Sequence, residues 1–257
     1  MMTRTVTFLA ALFFTTWVPA SEFPLREIYR SVATIEHAEL AQRAQEFSIV
    51  DVRSKYEYDT LHIAGAVHIS MSNAGFINKL EQLRAARGQP IVFYCNGITC
   101  AKSYLASIKA MSHGIDQVRT FDLGVQRWAQ HYPERTVLLA EPMRDSSALI
   151  TDEQFIAHSL LAPRFHKMAA GDVMLLDIRE PIQRDLIIFA DRARLTPLDR
   201  VGAALKQARR AGVPLLIFDA VGKQVRWLQY RLQREKFEDY YFLRGGVRAY
   251  AKEVLGQ

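Results

Sequence analysis

The sequence predicts an α/β fold made of two similar halves, each with a parallel sheet and helices on both of its faces. The first observation is an internal repeat, because residues 48–53 (SIVDVR) recur as residues 174–179 (MLLDIR). The second is an apolar run after a proline in each half, at residues 90–94 and 214–218. Such β-branched and aromatic runs, alternating with helical patterns, are typical of buried parallel strands in βαβ units.

The other elements are predicted in the same order in both halves. The predicted helices cover residues 34–45, 76–87 and 101–112 in the first half and residues 152–161, 199–211 and 224–236 in the second. Each half closes with a strand and turn, at residues 119–124 and 241–246. Thr151 is the expected N-cap of its helix, with Gln154 three residues on.

Domain boundaries follow from this repeat. The predicted domains span residues 28–135 and 150–257, each of ordinary domain size. Residues 136–149, which contain Glu141-Pro142, are the predicted linker between them.

The first twenty residues differ from the rest of the chain. Arg4 precedes an apolar run at residues 6–18, and Val18 and Ala20 fill the −3 and −1 positions of a cleavage site. These are the parts of a secretory signal peptide, so residues 1–20 predict export to the periplasm or the medium. The alternative is an uncleaved anchor, the one way in which we expect the protein to contact a membrane. The run is short for a bilayer span of about 20 residues.

Charge and composition narrow the possible partners. The formal net charge of +6 comes from scattered Lys and Arg residues. No basic face with groove-reading elements is visible in the sequence, so no nucleic-acid partner is expected. A modest positive balance suits small anionic substrates.

Cys95 is the most reactive candidate in the chain. It follows the predicted strand at residues 90–94 and begins a short loop, residues 95–100, before a helix. In such a loop, successive N–H groups turn inward as an anion-binding nest, and Gly97 offers the positive φ that the turn requires. A sulfur held there has a depressed pKa and is a nucleophilic thiolate. Cys100 is the only other cysteine, so export leaves a Cys95–Cys100 disulfide open as a second state.

Five groups of residues resemble, in order and spacing, the landmarks of the rhodanese-like family. They are Asp51-Val-Arg53, Glu57-Tyr58, residues 62–66 (HIAGA), Phe93-Tyr94-Cys95, and Leu123-Gly124 with Trp128. The resemblance is strong over residues 30–133 and weaker over residues 150–255. The whole chain is therefore similar to tandem two-domain sulfurtransferases, although there the active cysteine lies in the second domain. The loop also resembles the form Cys-Asn-Gly-x-x-Cys-x-Lys-Ser of an exported bacterial subgroup.

The resemblance implies sulfur transfer by double displacement. Cys95 would take the outer sulfur of a small anionic donor as a persulfide and pass it to a thiol or protein acceptor that the sequence does not identify. The loop amides, from Asn96 through Gly97, Ile98 and Thr99 to Cys100, would bind the anion. Lys102 would steer the donor, or is simply an exposed helix residue. No cofactor and no metal are implied.

Other residues are expected to have supporting roles. Asp51, Arg53 and Glu57 are predicted to form a polar network that fixes the loop, since buried ionic groups need partners. Asp219 stands at the position of Cys95 in the second half and would occupy its own nest, which makes that domain inactive. His62 and His68 lack the further ligands that a zinc site requires.

Two alternatives to sulfur transfer stay open. In one, Cys100 acts as a resolving thiol and the pair carries out thiol–disulfide exchange or sulfur relay. In the other, a permanent Cys95–Cys100 disulfide leaves a binding module without activity. A cysteine-dependent phosphatase is disfavoured, because Ala101 stands where such an enzyme needs a phosphate-clamping arginine.

Overall fold

The computed structural model describes residues 22–257. The predicted export signal at residues 1–20 lies outside the described residues and stays a prediction. The α-helices are α1 Pro24–Ile28, α2 His37–Arg43, α3 Lys55–Thr60, α4 Phe76–Arg87, α5 Lys102–Met111, α6 Gly124–His131, α7 Asp152–Ala157, α8 Ala162–Ala169, α9 Val201–Ala211, α10 Val225–Arg234 and α11 Gly246–Tyr250, which continues as a π-helix over Ala251–Leu255. Short 3-10 turns cover Ala44–Glu46, Pro133–Arg135, Ser146–Ala148, Pro181–Gln183 and Leu198–Arg200.

Twelve strands are present in the part of the chain that the structure describes. They are β1 Ser48–Asp51, β2 Leu61–Ile63, β3 Val67–His68, β4 Ile91–Tyr94, β5 Val118–Phe121, β6 Thr136–Leu138, β7 Glu141–Pro142, β8 Ser159–Leu160, β9 Met174–Asp177, β10 Arg194–Leu195, β11 Leu215–Phe218 and β12 Tyr240–Leu243.

The predicted α/β class is confirmed by two parallel sheets flanked by helices. The first has the order β3-β1-β4-β5, and the second has the order β10-β9-β11-β12-β8. All strand pairs in both sheets are parallel. The repeated strands β1 and β9 hold the same place in their sheets, and each is fully buried, as expected for strands covered on both faces.

The helix predicted at residues 152–161 is too long. Thr151 does form the predicted capping box with Gln154, but the helix ends at Ala157. Ser159 and Leu160 instead pair with β12 as the edge strand of the second sheet. The carbonyl of His158 accepts the amide of Phe242 at 2.7 Å, so the backbone is committed to the sheet. The helix predicted at residues 34–45 likewise begins only at His37, because Thr34 forms a parallel bridge with Thr120.

The stretch predicted as a linker is ordered against the first half. Within residues 136–149, β6 pairs with β2 and β7 pairs with β6, both antiparallel. Met143 and Leu149 are buried in the same apolar cluster as the first half's core. The apolar residues of this stretch therefore pack on the first sheet rather than spanning a gap.

The two halves contact each other through helices α3 and α10. Trp227 and Tyr230 of α10 belong to the buried cluster of the first half. Tyr56 of α3 packs against the clusters of both halves, and burial raises the pKa of its hydroxyl to about 12. The packing of α10 against α3 brings Trp227 of the second half close to Arg53 of the first half. Within residues 22–257, no helix is long and apolar enough to cross a membrane.

Candidate active site around Cys95

The site forms where three parallel strands of the first sheet end. Asp51 is the last residue of β1, and Cys95 directly follows β4. The turn at Leu123 and Gly124 follows β5, and the Val125 amide donates to the Cys95 carbonyl at 3.0 Å. Ligand sites of open α/β sheets lie at these carboxyl ends.

Gly124 is the glycine that this loop needs. It has a φ of 77°, and a Cβ there would lie 2.3 Å from the Gly97 nitrogen. The expectation that Gly97 supplies the positive φ is wrong, because Gly97 is not in the left-handed region. The tight approach is instead made from the neighbouring strand's turn, and only a residue without a side chain permits it.

Gly124→Ala is expected to destabilise the protein by about 3 kcal/mol or more, since it combines a strained φ with a backbone clash. Gly88→Ala is the matched control. Gly88 also has a positive φ, of 64°, but nothing lies within 4 Å of its Cβ position. The control should therefore lose only about 1 kcal/mol. Urea denaturation of both variants measures the difference, and equal losses would contradict the packing argument.

Cys95 and Cys100 form a disulfide. Cys95 is only 1% exposed, while Cys100 is half-buried against the same apolar cluster. The structure therefore represents the oxidised loop, in which Cys95 is not a nucleophile. Because these are the only two cysteines, a free thiol at Cys95 requires reduction of this bond.

A buried polar network holds the residue after Cys95. The Arg53 guanidinium makes an ion pair with Asp51 at 2.6 Å, and both side chains are fully buried. Arg53 Nη1 donates to the Asn96 side-chain oxygen at 3.1 Å, and Asn96 Nδ2 donates to Glu57 at 2.8 Å. Asn96 is thus held on both ends of its amide. Asp51, Arg53 and Glu57 are connected by hydrogen bonds to the Cys95 loop.

The charges around the loop favour the ionised form of Glu57. Burial acts to raise the pKa of Glu57, but the charge of Arg53 and the Asn96 hydrogen bond outweigh it, so this pKa lies below its ordinary value. The positive charge of Lys102 also acts to lower the pKa of Glu57. Lys102 itself is exposed at the start of α5. Its geometry fits both the steering role and that of an ordinary surface lysine.

The equivalent loop of the second half contains a bound carboxylate of its own. The side chain of Asp219 is fully buried. Its Oδ1 accepts the amides of Val221, at 2.9 Å, and Gly222. Its Oδ2 accepts those of Gln224, at 2.5 Å, and Val225, at 3.1 Å. Burial nevertheless raises the pKa of this carboxyl above its usual value, against the effect of the four amides.

The two loops are built alike at their bases. The Val247 amide donates to the Asp219 carbonyl at 2.9 Å, as the Val125 amide does to Cys95. Gly246, like Gly124, has a positive φ and lies against the loop backbone. By sequence register, the four amides around Asp219 correspond to those of Gly97, Ile98, Cys100 and Ala101. In the oxidised loop, the Cys100 amide instead donates to the Gly97 carbonyl at 2.8 Å.

The histidines near the loop make structural contacts. The His62 ring stacks on Tyr58 at 4.0 Å and bonds to its carbonyl, and burial lowers the His62 pKa. His68 Nε2 lies 3.0 Å from the Arg53 carbonyl. Among the described residues, no three His, Cys, Asp or Glu side chains are grouped so that they could hold a metal ion.

Sequence reasoning missed two features of the site. Asp122, at the end of β5, binds the Tyr104 hydroxyl at 2.5 Å and Arg26 at 2.7 Å, which ties α1 to this edge of the sheet. Its position at the end of a predicted strand could have indicated that Asp122 lies at the same sheet edge as Cys95. The other feature is Trp227, whose ring centroid lies 5.1 Å from the Arg53 Cζ. Nothing in the local sequence of α10 indicates that contact, because it crosses between the halves.

Comparison with known proteins finds a family that resembles the first half of the chain. Residues 36–131 match the family model of the rhodanese-like domain. Residues 36–131 are therefore similar to a rhodanese-like domain, and Cys95 lies within the matched range. This chain is also similar to the thiosulfate sulfurtransferase GlpE of Coxiella burnetii, with 28% identity over 109 residues, which are 41% of this chain and 92% of that protein.

Similarity to solved structures is more distant. A Bacillus halodurans protein shares 22% identity over 47% of this chain and 88% of its own, with a TM-score of 0.38. The thiosulfate sulfurtransferase of Pseudomonas aeruginosa shares 16% identity over 86% of this chain and 44% of its own, with a TM-score of 0.36.

Proposed function

We propose that the protein is a sulfurtransferase that carries sulfane sulfur on Cys95. The observation that carries this proposal is the ring of four amides around Asp219, because by sequence register the same four positions follow Cys95 in the first half. A loop that holds a buried carboxylate in one half is suited to hold a thiolate or a persulfide in the other. The match of residues 36–131 to the rhodanese-like domain supports the same chemistry.

The reaction starts from the reduced loop. The Cys95 thiolate attacks the outer sulfur of an anionic donor such as thiosulfate, and the sulfur–sulfur bond of the donor breaks. Sulfite leaves with the electron pair, and Cys95 keeps the sulfur as a persulfide. A thiol or another nucleophile then attacks that outer sulfur and releases the Cys95 thiolate. In the reduced loop, the backbone amides would stabilise the negative charge in both steps.

The second half is proposed to have no sulfurtransferase activity of its own. Asp219 fills the nest with a carboxylate and offers no nucleophile. A donor anion would also have to displace a group that is bound by four amides. Residues 150–257 are therefore proposed to be a second, inactive rhodanese-like domain.

A single-turnover experiment tests the proposal. Protein reduced with a dithiol, freed of reductant and mixed with thiosulfate should release sulfite in a burst of about one equivalent per chain, as expected for a covalent intermediate. Protein kept in the disulfide form is the matched control and should release none. A reduced protein that gives no burst would overturn the proposal, and a burst from the oxidised form would exclude Cys95 as the acceptor of the sulfur.

The Cys95–Cys100 disulfide favours a second candidate function, in which the persulfide is resolved within the chain. The Cys100 thiolate would attack Cys95 Sγ and displace the outer sulfur as hydrosulfide, leaving the disulfide. An external dithiol would then be needed to reduce the bond before the next cycle, itself becoming a disulfide. Export, which residues 1–20 predict, would put the pair in an oxidising compartment where the closed form persists.

A further inference from the structure

We infer that Trp227 of the second half is a positioning residue for the Cys95 loop of the first half. A catalytic role for this contact rests on the proposed function, in which Cys95 is the nucleophile. The contacts that carry it are geometric, and they run from Trp227 through Arg53 to Asn96, the residue that follows Cys95.

The Trp227 ring lies near a buried guanidinium that also has a second aromatic ring close to it. The centroid of Trp227 lies 5.1 Å from Arg53 Cζ, and that of Tyr94 lies 5.6 Å from it. Trp227 is 3% exposed, although it belongs to α10 of the second half. A tryptophan at this distance attracts a cation, and most strongly where water is excluded.

The guanidinium in turn fixes the loop. Arg53 donates to Asp51 and to the Leu61 carbonyl, at 2.6 and 2.5 Å, which leaves Nη1 directed at the Asn96 oxygen. The Asn96 side chain cannot rotate without also losing its hydrogen bond to the Glu57 carboxylate. The Trp227 ring thus covers the buried arginine that connects β1 to the Cys95 loop through Asn96.

The second half lacks this arrangement around its own arginine. Arg179 pairs with Asp177 at 2.7 Å, as Arg53 does with Asp51. Its Nη1, however, donates to the carbonyls of Gln183 and Leu186, and the ring near it is Phe218 of its own half. The Trp227 contact is therefore not a general feature of the repeat, and it occurs where the loop holds a cysteine.

The consequence is a link between the second half and the reactivity of Cys95. Removing the indole admits water to Arg53 and loosens its hold on Asn96. In the reduced loop, the amides that follow Cys95 would then be less well directed at its sulfur. Neighbouring cations and directed amides depress a thiol pKa, so the loss should return the pKa of Cys95 toward its free value.

The test is the pH dependence of alkylation of Cys95 by iodoacetamide in the full chain, with Cys100→Ser as the common background. Trp227→Leu should raise the Cys95 pKa by about one unit, toward about 8.5. Trp227→Phe should raise it less, because phenylalanine attracts a cation more weakly than tryptophan does. The matched control is Tyr230→Phe. Tyr230 lies in the same helix and the same apolar cluster as Trp227, and the substitution removes only the hydrogen bond that its hydroxyl accepts from the Ile150 amide.

The control should lower thermal stability and leave the Cys95 pKa unchanged. If both Trp227 variants keep the Cys95 pKa of the control, Trp227 is merely a core residue and the inference is overturned. If Trp227→Leu does not fold, the comparison of Trp227→Phe with Tyr230→Phe decides in the same way. The alkylation test uses no sulfur donor. Failure of the separate reaction with thiosulfate would therefore refute the proposed function without changing the measured Cys95 pKa values.

Discussion

Cys95→Ser is expected to lower thiosulfate-dependent sulfur transfer by about a thousandfold or more, to the rate of the background reaction. A serine hydroxyl is not ionised in the loop and cannot hold sulfane sulfur as a persulfide. The measurement is formation of thiocyanate from thiosulfate and cyanide by prereduced protein. Full activity in this variant would exclude Cys95 as the nucleophile.

Cys100→Ser is the matched control, because it removes the other partner of the same disulfide. Transfer from thiosulfate to cyanide should survive, and prereduction should no longer be needed. Release of hydrosulfide without an added thiol should disappear, since it requires Cys100 to attack the persulfide. If both variants lose all transfer to cyanide, both thiols are essential and the thiol–disulfide candidate is favoured.

Arg53→Met is expected to destabilise the protein strongly, with a loss of about 3–5 kcal/mol in the free energy of unfolding. Asp51 is fully buried, and the ion pair with Arg53 supplies its opposite charge. Methionine fills similar space but leaves that carboxylate unpaired. Urea denaturation with a constant m-value would measure the loss.

Arg179→Met is the internal control for this variant. Arg179 and Asp177 form the equivalent buried pair in the second half, so a similar loss of stability is expected. Only Arg53 contacts the Cys95 loop, through Asn96. The pKa of Cys95, followed by alkylation, should therefore rise in Arg53→Met alone. An equal change in both variants would mean that the network acts on global stability and not on the loop.

The sequence was sufficient to predict those helices and strands that have strong local signals. The buried strands β4 and β11 are apolar runs after a proline, and Thr151 with Gln154 predicts the start of α7. Edge strand β8 was not predictable in this way. Its two residues are held by β12, about eighty residues further along the chain, and carry no periodicity of their own.

The candidate site was predictable in its chemistry but not in its supports. Cys95 and its loop follow from a strand end, a short turn and a helix start. The glycine that the loop requires is Gly124, because the close contact comes from a neighbouring strand and not from the loop's own sequence. Trp227 is a core-type residue in an amphipathic helix, and only the packing of α10 against α3 brings it to Arg53.

The most direct test of a sulfur-carrying Cys95 is the intact mass of the full chain, measured without reductant after reaction with thiosulfate. Prereduced Cys100→Ser protein should gain the mass of one sulfur atom, and peptide mapping should locate it on Cys95. The gain should vanish when cyanide is added, as the sulfur leaves as thiocyanate. A mass that thiosulfate does not change, in a protein whose Cys95 is shown to be a free thiol, would contradict the account.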